Sequence, residues 1–131
     1  MTLDEFREGM NTYLNETVRQ ERELRDSLWT GNRLATLYGN FDAEDRAMAD
    51  QVISEWILSD AAHAPYFGRL LASRFTIKTA IPALEELAER LLSSKAPGAS
   101  AERETVIRIL GGITRRLDAG SPPSARPTPP A

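Results

Sequence analysis

The sequence predicts an all-α protein: helix pairs stacked antiparallel, as a short α-solenoid or an irregular bundle, with five main helices. Three observations lead there. Apolar residues recur at three- and four-residue steps through most of the chain, the spacing that puts them on one side of a helix. Residues that cap helix starts stand just ahead of several of these runs, at Thr2, Asp42 and Thr79. No segment alternates apolar and polar residues as a half-buried strand does. At 131 residues the chain has the length for one domain with one core.

Taken in order, Thr2 and Glu5 have the spacing of a capping box, which satisfies two backbone donors at a helix start. Leu3, Phe6, Met10, Tyr13, Leu14, Val18, Leu24 and Leu28 follow, so one long helix is expected. It should stop near Trp29, because Gly31-Asn32 readily takes turn or left-handed geometry. Residues 33–40 are expected to hold one or two helical turns closed by Gly39-Asn40. Asp42 then caps a second long helix, with Glu44 and Asp45 at the positive end of its dipole. Its inner face is Met48, Ala49, Val52, Ile53 and Trp56, and its outer stripe is Glu44, Gln51, Glu55 and Leu58.

Pro65 suits the start of a third helix, where a missing N–H costs nothing, and Tyr66, Phe67, Leu70, Leu71 and Phe75 are its expected buried residues. Thr79 is expected to cap a fourth, burying Ala80, Ile81, Leu84, Leu87, Ala88, Leu91 and Leu92. Pro82 then falls in the first turn, where backbone N–H groups have no intrahelical acceptor. A fifth helix is expected over about residues 100–117, burying Val106, Ile107, Leu110, Ile113 and Leu117. Gly111-Gly112 inside it lower helix propensity by roughly 1 kcal/mol each, which predicts close approach of a neighbour or a local break. Residues 1–118 are thus read as one helical domain. Residues 119–131 are read as a Pro-rich flexible tail, since 118–131 hold five prolines.

The chemistry is sparse. There is no cysteine and a single histidine, His63, so thiolate sites and paired-histidine metal sites are excluded. No phosphate-cradling or dinucleotide-binding motif is present. Asp42, Glu44, Asp45 and Asp50 lack calcium-loop spacing, and capping accounts for the first three. A non-enzymatic protein with no cofactor and no metal is therefore expected. The basic residues of the second half are scattered, with Arg115-Arg116 adjacent near a helix end, so nucleic-acid binding is not expected. No apolar run approaches the roughly 20 residues that span a bilayer, and the polar faces are acidic or mixed, which argues against a membrane partner. "MTLDEFREGM" has no basic segment followed by an apolar one, so a cytoplasmic location is expected.

The formal charge of -3 conceals an asymmetry. Residues 1–60 hold 13 acidic residues against 6 arginines, whereas residues 61–131 hold 10 basic against 6 acidic. An acidic half favours a basic partner.

Two stretches carry a family resemblance. "TAIPALEELAERL", residues 79–91, resembles the first helix of a HEAT-type repeat, with its early proline and following Ala-Leu. "YFGRLLASRFTI", residues 66–77, is similar to the second helix of the repeat before it. Together with Glu55-Trp56, this phrasing is similar to small HEAT-like immunity proteins of bacterial polymorphic toxin systems. The resemblance implies two stacked helix pairs over residues 43–117, with the first helix as a cap. It also implies neutralisation of a cognate toxin domain by direct docking, and the acidic half would suit a basic toxin. The expected contact surface is Glu44, Gln51, Glu55 and Leu58, with Asp50 nearby. Two other classes stay open. Trp29-Thr30-Gly31 has the W-x-G form of small helical proteins exported by type VII secretion, although it sits early for that family. The long first helix would also serve a self-associating adaptor, giving a homodimer.

Overall fold

The computed structural model describes residues 1–119, and within them the chain is all-α with no strand. Six helices follow one another: α1 (Leu3–Leu24), α2 (Trp29–Gly39), α3 (Ala43–Ile57), α4 (Ala64–Phe75), α5 (Ile81–Ser93) and α6 (Ala99–Ala119). A short 3-10 turn, Lys78–Ala80, leads into α5. Most of the Pro-rich segment, residues 120–131, lies outside the described residues, while Ala119 still belongs to α6.

The capping box at Thr2 and Glu5 forms as the spacing demands, with each side chain reaching the other's backbone N–H at 3.1 Å. The end of α1 does not fall where Gly31 suggested. Arg25 takes left-handed geometry at φ 53° and gives its N–H to Glu21 O. Asp26 then accepts the Leu28 N–H on its side chain at 3.0 Å and the Trp29 N–H on its carbonyl at 3.1 Å. The Glu21 carboxylate accepts the Thr30 N–H at 3.1 Å and so serves the first turn of α2. These acidic side chains stop one helix and start the next, so Gly31-Asn32 is helical and α2 is a full helix rather than one or two turns. A Cβ at Gly31 would lie 3.0 Å from Leu70 Cδ2, so this glycine marks the approach of α2 to α4.

Three other expectations need correction. Thr79 does not cap α5: Ala80 stands at that position without a side-chain cap, because the 3-10 turn intervenes. Pro82 remains in the first turn, as its missing donor requires. Tyr66, Leu92 and Ile107, expected to be buried, are 59%, 66% and 44% exposed, since no neighbouring helix covers their side of α4, α5 or α6. Gly111 and Gly112 mark neither a break nor a close approach: α6 runs through them unbroken, and space beside Gly111 is open for 4 Å.

The order of contacts sets the architecture. Each odd helix packs on the even helix after it, α3 also packs on α1 and α5, and α4 also packs on α2 and α6. The result is two layers, α1–α3–α5 and α2–α4–α6, with one contiguous apolar core between them. Ile53, Ile57, Leu71, Leu84, Val106 and Ile113, from four helices, are among its fully buried members. Gly68 permits the α3–α4 contact, because a Cβ there would meet Ile57 N and Trp56 Cβ at 3.1 Å. A chain of rings, Phe6–Phe41–Tyr38–Phe75, ties α1, α2 and α4 together at centroid separations of 5.2, 6.4 and 4.5 Å.

Candidate interaction surface

The expected contact residues do not behave alike. Glu44 and Gln51 are exposed on the outward line of α3, and Glu55 is half-buried on the same line. Asp50 is one residue from Gln51, about 100° round the helix, and faces α2 instead. Its carboxylate accepts the Tyr38 hydroxyl at 2.6 Å, and the Arg46 guanidinium sits 5.1 Å over the Tyr38 ring. Burial raises the Asp50 carboxyl above its ordinary pKa, against the opposing effect of the Tyr38 hydroxyl. Burial also raises the Tyr38 phenol, and the bond to Asp50 adds to that. Leu58 closes α3, packs against the core, and lends its carbonyl to Arg90 Nη1 at 3.4 Å. Asp50 and Leu58 therefore hold the fold together, while Glu44, Gln51 and Glu55 stay on the outward line.

Glu55 opens onto a site that involves α1. Arg7 grips it in bidentate fashion, Nε to Oε1 at 2.6 Å and Nη2 to Oε2 at 2.9 Å, while Arg7 Nη1 reaches Asp4 at 2.5 Å. The hydrogen bond from Arg7 holds the Glu55 carboxyl below its usual range, so it is ionised across neutral pH. One turn on, Asn11 Oδ1 accepts the Trp56 indole N–H at 2.7 Å. Beside these pairs lies a cavity of about 330 Å³, lined by Asn11, Leu14, Asn15, Glu55, Trp56 and Ser59 together with Ala61 and Ala64. Arg7, Asn11 and Asn15 were not singled out in the sequence. Their signal was present, since they stand four residues apart beside the buried line of Phe6, Met10 and Leu14.

Folding also rearranges the charge. Helices α1, α3 and α5 carry 13 acidic and 5 basic residues, a net of -8. Helices α2, α4 and α6 carry 3 acidic and 7 basic, a net of +4. The asymmetry between chain halves is thus a difference between layers. In the second layer part of the positive charge is engaged, with Arg69 bound to Glu102 at 3.1 Å and Arg116 to the Ser73 carbonyl at 2.8 Å. The first layer keeps an acidic surplus on its outer surface.

Among the described residues no group of three or more His, Cys, Asp or Glu is placed to hold a metal ion. His63 precedes α4 and makes no side-chain cap. No described helix is long and apolar enough to cross a membrane. Compared with known proteins, the chain matches no family model, no curated protein and no solved structure.

Proposed function

We propose that the chain is a non-enzymatic protein-binding module that docks a basic protein through the outer surface of α1, α3 and α5. The observation that carries this reading is the segregation of charge, -8 on one helix layer and +4 on the other. A few of these charges, such as Asp50 and the Arg7–Glu55 pair, join helices, but most are exposed, and packing does not require that they be separated by layer. Complementary charge accelerates encounter and selects the partner, which gives the separation a use. The order of contacts supports reading α3–α4 and α5–α6 as two HEAT-like repeats with α1–α2 as the terminal pair. The resemblance of residues 66–91 to HEAT-like immunity proteins then supplies the class of partner: a basic toxin domain, neutralised stoichiometrically in the bacterial cytoplasm.

The test is co-expression with a toxin domain encoded beside this chain. The expected result is restored growth and a one-to-one complex on size exclusion. Replacing Glu44 and Gln51 with lysine should weaken that complex at least tenfold, a loss of about 1.4 kcal/mol or more, while leaving the helical circular dichroism intact. Reversing Glu104 on α6 should leave it unchanged. No complex with the wild-type chain, or equal binding by both variants, would overturn the reading.

A further inference from the structure

We propose that the cavity at the seam of α1 and α3 receives a single arginine side chain presented by a protein partner. The inference rests on the docking reading above and narrows it to one pocket and one chemistry. The cavity, about 330 Å³, has an apolar base of Leu14 and Ala64, both buried. Its polar lining centres on the Glu55 carboxylate, the one group there that only accepts, with Asn11, Asn15 and Ser59 able to donate as well as accept. The Glu55 carboxylate accepts one bond on each oxygen from Arg7 and is also hydrogen-bonded by Gln51, and an ionised carboxylate has about four acceptor positions in all. The Asn15 side chain lines the cavity and makes no hydrogen bond among the described residues, which leaves its amide oxygen able to accept. Ser59 Oγ already accepts the Ala61 N–H at 3.0 Å, and a hydroxyl oxygen has a second lone pair. The one indole donor present, from Trp56, is committed to Asn11.

An ionised carboxylate with acceptor capacity to spare suits a ligand group that only donates. Guanidinium has five N–H donors in a plane and no acceptor. It is also more weakly hydrated than an ammonium, so it tolerates the apolar base of Leu14 and Ala64 at lower cost than lysine does. Helix dipoles add no net preference, because the cavity lies between the C-terminal end of α3 and Ala64 at the N-terminal end of α4, so the attraction for a cation comes from the Glu55 carboxylate. Arg7 does not cancel this attraction: Asp4 and Glu55 together outweigh its charge, and the whole layer carries -8.

The experiment titrates N-acetyl-arginine methylamide into the 15N-labelled full chain and follows the Trp56 indole and the Asn11 and Asn15 side-chain amide signals. The expected result is a saturable shift confined to these signals. N-acetyl-lysine methylamide should bind several-fold more weakly. Glu55→Gln should weaken the arginine compound roughly tenfold, the loss of one hydrogen bond to a charged group. Asn15→Ala should weaken it as well and serves should Glu55→Gln disturb the fold, whereas Glu104→Gln should change nothing. No saturable shift, equal affinity for the lysine compound, or insensitivity to both pocket variants would overturn the proposal. The titration needs no protein partner. Its failure would leave docking to be decided by complex formation, and a missing complex would leave the pocket standing.

Discussion

Helix α3 meets α4 on one side and α1 on the other, and the two seams are built on opposite terms. Against α4 the contact is dry and close: Gly68 brings backbone within 3.1 Å of where a Cβ would stand, and Ile57, Leu71 and Ala72 are fully buried around it. No side-chain hydrogen bond joins α3 to α4 among the described residues. Against α1 the contact is polar: Arg7 holds Glu55, Asn11 holds Trp56, and an open cavity remains between them. A core of hydrocarbon tolerates no gap, because a void forfeits dispersion contacts along its whole lining. A polar seam tolerates one, since water or a ligand group can satisfy its walls. Close apolar packing is therefore concentrated on one flank of α3 and unfilled polar space on the other.

The sharpest way to break this contrast is through the dry seam. Ile57→Ala should destabilise the protein by about 2–5 kcal/mol in urea unfolding, the range for truncating a fully buried aliphatic residue. Gly68→Ala comes next. Alanine favours the helix by about 1 kcal/mol, but its Cβ would press on a backbone nitrogen that cannot yield, and overpacking costs roughly 1–3 kcal/mol. A net loss of about 1 kcal/mol is expected, whereas Gly111→Ala, with nothing within 4 Å, should gain about that much. If both alanines stabilise, the close approach of α3 and α4 is not rigid.

Changes at the polar seam should cost less. Asn11→Ala removes the acceptor of a 3% exposed tryptophan, and about 1 kcal/mol is expected because the adjoining cavity can admit water. A loss as large as that of Ile57→Ala would erase the distinction between the seams. Glu55→Gln should have the smallest effect, since the pair it breaks is a partly exposed one. Its pH dependence identifies the cause. A carboxyl whose folded pKa is depressed contributes stability above its unfolded value and loses it as pH falls through the folded one. The gap between variant and wild type should therefore be full at pH 7 and close below the ordinary carboxylate range. A gap that persists in acid would point to packing instead.

Much of this architecture was legible in the residues. The capping box at Thr2 and Glu5, the cap at Asp42 and the inner face from Ala49 to Trp56 follow from local rules that tertiary structure did not override. The end of α1 was not legible, because a left-handed arginine and an acidic turn did the work that glycine usually signals. The glycines misled for a related reason: sequence reveals a missing side chain but not what would have met it, so Gly68 passed unnoticed while Gly111 drew attention. The candidate surface was half legible. Periodicity placed Glu44, Gln51 and Glu55 on one line of α3, yet Arg7 and Asn11 join them from about 45 residues away, through a packing no local pattern encodes.

The two charged layers have a consequence for how far the molecule's formal charge can be trusted as a description. Packed helices lie roughly 8–10 Å apart, close to the screening length of about 8 Å at physiological ionic strength. In dilute buffer, where that length reaches about 30 Å, an approaching partner senses both layers at once and meets a weakly acidic body. At physiological ionic strength each layer is nearly hidden from the other's side. On the proposed docking, a basic partner would then meet the -8 of α1, α3 and α5 with little offset from the +4 behind it. Added salt should weaken the attraction in general, yet on this protein it also unmasks the acidic layer, so the orienting part of the field outlasts simple charge attraction.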